Sequence, residues 1–139
     1  AIFSPNKANA IIADNPSINN WAIGGHSLGG VAAAGYAKDN QDDIEGLVLW
    51  ASYPSEDMSG TSLQAVSIYA TNDGLTTEAD IEDSKSKLPS STTYVEITGG
   101  NHAQFGYYGT QRGDGEATIS RADQQEQMVT ATLDLLAVI

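Results

Sequence analysis

Two rhythms of apolar and polar positions run along this chain, and glycine, proline and asparagine mark the changes between them. Residues 44–51 (Ile-Glu-Gly-Leu-Val-Leu-Trp-Ala) are apolar nearly throughout, as in a strand covered on both faces. Residues 63–70 and 92–98 read as two further strands, and residues 21–24 as a short one. Residues 28–38 are rich in alanine and glycine, a helix whose small side chains allow close packing on a sheet. Residues 76–88 predict a second helix that starts at Thr76 or Thr77. It places Glu78 and Asp80 in the first turn, where they suit the helix dipole, and stops before Pro89. Residues 120–138 predict a final amphipathic helix capped by Ser120. At the start of the chain, Ser4-Pro5 ahead of residues 6–13 predicts a short capped helix that ends near Asn15-Pro16. The remaining joints are polar loops at residues 40–43 and 52–61 and a long glycine-rich loop over residues 99–118. Strands separated by helical segments imply βαβ crossovers and an α/β fold: about four parallel strands flanked by helices. Ligands on such sheets sit beyond the carboxyl ends of the strands.

Three residues with complementary chemistry fall at those ends. Residues 24–30 read Gly-Gly-His-Ser-Leu-Gly-Gly, directly after the apolar run and directly before the alanine-rich helix. Strand, glycine turn and helix in that order form the setting of a nucleophile elbow, in which Ser27 takes a strained backbone and exposes its hydroxyl. A G-x-S-x-G arises by chance too often to carry a function alone. A serine hydroxyl is also a poor nucleophile until a histidine takes its proton and a carboxylate holds that imidazole. The chain has two histidines. His26 adjoins the serine and is expected to point to the opposite side of the elbow, packed beneath it. His102, in the loop after the last strand, is free to reach Ser27 and is assigned as the base. Asp73 follows a strand at an Asp-Gly turn and is the leading acid, with Asp57 in reserve. An Asp-Gly turn is by itself an ordinary structural feature; the serial order Ser27, Asp73, His102 is what lifts it. The N–H of Leu28, at a helix N-terminus, supplies one oxyanion donor. The source of a second donor is not visible in the sequence.

Composition narrows the partners. The 139 residues suit one domain spanning the whole chain, with a core that buries roughly two thirds of the surface of the unfolded chain. Apolar residues make up 40% and charged residues 17%, a globular rather than a disordered composition. A formal charge of −12 repels phosphate backbones, so nucleic acid is not an expected partner. There is no cysteine, hence no disulfide framework and no thiol metal site, and the compartment stays undetermined. No apolar run reaches the ~18 residues of a membrane span, and the first residues lack the basic and apolar regions of a signal peptide. The chain as given is expected to be soluble.

The elbow, Asp73 after a strand, and the segment Gly99-Gly100-Asn101-His102-Ala103-Gln104-Phe105-Gly106 together resemble the α/β-hydrolase superfamily, in a bacterial esterase-like branch. Tyr107, Gln111 and Gly113-Asp114-Gly115 lie behind that segment, which is more specific than the elbow alone. The resemblance implies Ser27 as nucleophile, Asp73 as acid and His102 as base. It also implies a truncated, minimal form of the fold, because typical members carry about four strands ahead of the nucleophile strand. The expected activity is hydrolysis of small carboxylic esters through an acyl-enzyme, with neither metal nor organic cofactor. A non-catalytic remnant of the fold serving as a binding module is the alternative. The loop at residues 53–60 and the segment 104–114 are expected to wall the pocket, with Tyr107 and Tyr108 either contacting substrate or packed structurally. A nucleophile strand without its earlier neighbours leaves an exposed sheet edge, so a homo-oligomer that covers it is expected.

Overall fold

The computed structural model describes residues 5–139, with side chains from Lys7 onward. Four parallel strands form one sheet in chain order: β1 (Trp21–His26), β2 (Ile44–Trp50), β3 (Gln64–Ala70) and β4 (Thr93–Ile97). The helices are α1 (Pro5–Asp14), α2 (Leu28–Asp39), α3 (Glu78–Ser84) and α4 (Arg121–Leu136). The α/β architecture is thus the expected one. The cap expected at Ser4 lies outside the described residues.

Alternation along the strands divides the core between the two faces of the sheet. Leu47 and Leu49 of β2 join Ala33, Ala34 and Ala37 of α2 on one face, with Met58, Leu63 and Leu88. Val48 of β2 and Val66 and Ile68 of β3 join Met128, Ala131 and Leu135 of α4 on the other, with Ile97 and Phe105. Each face removes a continuous apolar layer from water, which is why β2 could read as apolar throughout rather than alternating.

The elements depart from expectation in three places. β1 continues two residues further, pairing Gly25 with Leu49 and His26 with Trp50; glycine carries no strand signal, yet the parallel ladder needs only its main chain. The crossover from β2 to β3, residues 51–63, is irregular, in keeping with the polar loop expected at residues 52–61. Pro54, Ser59 and Gly60 keep it so, and it is anchored by the buried side chains of Met58 and Leu63 and by the Met58 N–H on the Lys87 carbonyl (2.7 Å). The helix expected over residues 76–88 is α3 followed by a 3₁₀ turn (Lys85–Lys87), because the approach to Pro89 disfavours further α-helix. A second 3₁₀ turn (Ala103–Phe105) lies within the glycine-rich loop. The helix starts agree: Thr77 and Asp80 form a reciprocal capping box on α3, and the Ser120 side chain accepts the Asp123 N–H of α4.

Candidate active site

At the end of β1 the chain turns directly into α2 at Ser27, whose φ of 54° and ψ of −124° lie where L side chains are rarely found. The turn is tight because nothing intervenes between strand and helix. A Cβ on Gly25 would run into the main chain of Gly29 and Gly30, so only glycine fits there. The Ser27 N–H donates to the Trp50 carbonyl (3.0 Å), and its carbonyl accepts the Gly30 N–H (3.0 Å) and the Ser52 hydroxyl (2.6 Å). The main chain of the elbow is therefore pinned on both sides. The Ser27 hydroxyl makes no cap bond to α2 and stays free for other partners. Leu28 opens α2, where the first amides have no acceptor within the helix, and its side chain is exposed.

Asp73 and His102 meet across two loops. His102 Nδ1 lies 2.7 Å from Asp73 Oδ2, and both side chains are buried. The other carboxylate oxygen of Asp73 accepts the N–H groups of Leu75 (2.8 Å) and Thr76 (2.7 Å), which orient it toward the imidazole. Thr76 in turn donates its hydroxyl to the Ala51 carbonyl (3.0 Å) at the end of β2. The histidine loop is held just as tightly. Gln124 of α4, fully buried, accepts the Asn101 N–H (3.1 Å) and donates to the Asn101 carbonyl (2.7 Å). Asp114 accepts the N–H groups of His102 (3.1 Å) and Ala103 (2.9 Å).

Ser27 and His102 are not hydrogen-bonded; what lies against the His102 ring is His26, the chain neighbour of Ser27. The His26 ring does not turn away beneath the elbow as expected. Its centroid lies 4.4 Å from that of His102, and the ring stacks on Tyr108 (5.1 Å) and Phe105 (5.8 Å). The continuation of β1 through residue 26 aims this side chain at the histidine loop. Burial, and next the neighbouring His102, push the His26 pKa down to about 4, so the ring is neutral near pH 7. Its Nε2 is buried without a hydrogen-bond partner.

The other candidates separate cleanly. The carboxylate of Asp57 is engaged by the N–H (2.9 Å) and hydroxyl (2.6 Å) of Ser59 on an exposed loop, and it does not join His102. Tyr107 is 81% exposed, with the Arg121 guanidinium 4.8 Å from its ring centre, whereas Tyr108 is the tyrosine stacked at the site. A cavity of about 510 Å³ is lined by Asn101, Ala103, Gln104, Gln111, Asp114 and Arg121 among others, and neither Ser27 nor His102 lines it. Among the described residues, no group of three or more His, Cys, Asp or Glu side chains could hold a metal ion. Sequence reasoning missed Gln124 and the loop contacts of Asp114. Gln124 had a signal, being the one polar residue in the stripe Gln124, Met128, Ala131, Leu135 that α4 buries.

Known proteins share this fold. A family profile described as "Alpha/beta hydrolase family" matches residues 1–126. No curated protein matches the chain. Among solved structures, a CIB-like hydrolase from Thermoplasma acidophilum superposes with a TM-score of 0.71 at 16% identity, covering 97% of this chain and 58% of that one. An alpha/beta hydrolase from a metagenome of lagoon sediments at Mar Chica, Morocco, gives 0.62 at 19% identity, over 75% of this chain and 62% of that one. A thermophilic esterase from Thermogutta terrifontis gives 0.71 at 12% identity, over 96% and 70%. The chain thus spans about three fifths of the length of the first two. At these identities the likeness is one of fold.

Proposed function

Because this chain belongs to the alpha/beta hydrolase family, we propose that it is a serine ester hydrolase acting on small carboxylic esters. In this reading Ser27 is the nucleophile, His102 the base, Asp73 the acid and the Leu28 N–H an oxyanion donor. The observation that carries it is the 2.7 Å pairing of His102 Nδ1 with Asp73 behind a serine in the strained elbow conformation. The esterases that share this fold support the reaction class.

The chemistry follows from which atoms are committed. Asp73 fixes the tautomer with the proton on Nδ1, leaving Nε2 as the acceptor for the Ser27 proton. As Ser27 Oγ bonds to the ester carbonyl carbon, His102 takes that proton and the carbonyl oxygen becomes an oxyanion. A preorganised donor at the oxyanion lowers the barrier by roughly 3 kcal/mol. Collapse of the tetrahedral species breaks the bond to the alcohol, which leaves with the proton from His102. Water then attacks the acyl-enzyme carbonyl while His102 takes its proton; collapse breaks the bond from Ser27 Oγ to the acyl carbon, the carboxylic acid leaves, and Ser27 Oγ takes the proton back from His102. Ser27 and His102 are not yet bonded here, which suits a resting site, since catalytic hydrogen bonds tighten when substrate arrives. The exposed apolar side chains Leu28, Tyr53, Leu75 and Tyr108 stand on the segments that flank these groups and suit a short apolar acyl or alcohol group.

Turnover of a short-chain chromogenic ester by wild type and Ser27→Ala tests the proposal. The expected result is a fall in kcat on the order of 10⁴-fold or more. Retention of most of the activity by the variant removes Ser27 as nucleophile, and an inactive wild type favours the binding-module alternative.

A further inference from the structure

We propose that Asp114 is the positioning residue of this site: its carboxylate clamps the loop that carries Asp73 to the loop that carries His102. The inference rests on the reading of those two residues as acid and base. It begins from an unusual commitment of one side chain. Asp114 Oδ1 accepts the N–H groups of Gly74 (3.3 Å), His102 (3.1 Å) and Gly115 (2.9 Å), and Oδ2 accepts that of Ala103 (2.9 Å). A carboxylate offers about four acceptor positions. Here four main-chain N–H groups are bound, three at Oδ1 and one at Oδ2.

The identity of those donors gives the arrangement its meaning. Gly74 follows Asp73 directly, while His102 and Ala103 span the Cα that carries the imidazole. Only the bond to Gly115 is local; Gly74 is 40 residues away, on the loop after β3. A carboxylate that merely braced its own turn would have no reason to reach both. Sliding either loop past the other breaks at least one of these hydrogen bonds. The surrounding chain is shaped for the contact. A Cβ on Gly115 would collide with the Asn72 carbonyl, so the residue after Asp114 is a glycine that lets the loop press against the acid turn. Asn72 and Asn101 add supporting bonds, to the Glu116 (2.8 Å) and Gly115 (2.9 Å) carbonyls.

The consequence is geometric. The pairing of Asp73 with His102 joins two loops whose ends leave different strands, and its length is set by how those loops are held together. Misplacement of a catalytic group by about 1 Å costs about 100-fold in rate. Asp114 touches neither imidazole nor hydroxyl and works through the main chain of both loops.

The test compares wild type, Asp114→Ala and Asp114→Asn in the whole protein, read first by proton NMR of the His102 Nδ1–H in its bond to Asp73, assigned by its loss in His102→Gln. This readout needs no turnover. The expected result is a protected ring N–H in wild type, fast exchange in Asp114→Ala, and an intermediate in Asp114→Asn, which keeps one acceptor oxygen. On a short-chain ester, Asp114→Ala is expected to lose about 100-fold in kcat with KM little changed, and Asp114→Asn less. A folded Asp114→Ala or Asp114→Asn whose ring N–H is as protected as in wild type overturns the proposal; Asp114→Asn supplies the answer should Asp114→Ala fail to fold. Failure of the hydrolase reading is separate. It shows as undiminished activity of Ser27→Ala, or none in wild type, whatever the ring N–H reports.

Discussion

Ser27 and Gly25 bear the local strain of this site, and each responds to a single methyl or hydroxyl. At Gly25 an alanine Cβ meets the main chain of Gly29 and Gly30, which cannot move without shifting α2 off the strand. Gly25→Ala is therefore expected to cost about 1–3 kcal/mol or more, measured by chemical denaturation, with loss of activity. His26 gives a pH signature. Its pKa is about 4 in the folded chain against 6.5 for the free side chain, so the unfolded state binds more protons between those values. The contribution of neutral His26 to stability is complete above pH 6.5 and is lost as pH falls toward 4. The groups around it are His102, Asp73, Asp114 and Tyr108. Melting temperatures at pH 7 and pH 5 should fall further for wild type than for His26→Gln; equal falls would contradict the assignment.

Among the elements, α3 offers the cleanest stability measurement. Its Thr77–Asp80 box satisfies two amides that the helix cannot, and Thr77→Ala is expected to cost about 1 kcal/mol in denaturant unfolding. That cap was legible in the sequence, as were the four strands, the parallel sheet and the three chemistry-bearing residues at its carboxyl end. Apolar runs and capping residues act locally, so they leave a local trace. The continuation of β1 through Gly25 and His26 left none, since its ladder bonds come from β2 and not from any preference of glycine. The loop at residues 52–61 was legible too, but the burial of its Met58 was not, because that side chain finds the core only once α2 and β2 are in place. The direction of His26 and the reach of Asp114 depend on where three loops converge. Main-chain donors, which make up that convergence, have no letter in the sequence.

For the molecule as a whole, β1 is an edge, paired only with β2 among the described residues. The α4 helix also exposes Val129, Leu133 and Leu136 along one stripe. Free edges and exposed apolar stripes favour association, opposed by the formal charge of −12. We propose that a second copy covers the edge, and light scattering at micromolar concentration should give a mass above the 14.6 kDa of one chain, rising with salt as repulsion is screened. A monodisperse monomer at all salt concentrations would contradict it. Activation of Ser27 by the buried imidazole–carboxylate pair is read out by a fluorophosphonate probe followed by mass spectrometry. One equivalent of probe is expected on Ser27 in wild type and little or none in His102→Ala; no labelling of wild type, or equal labelling of both, would rule that activation out.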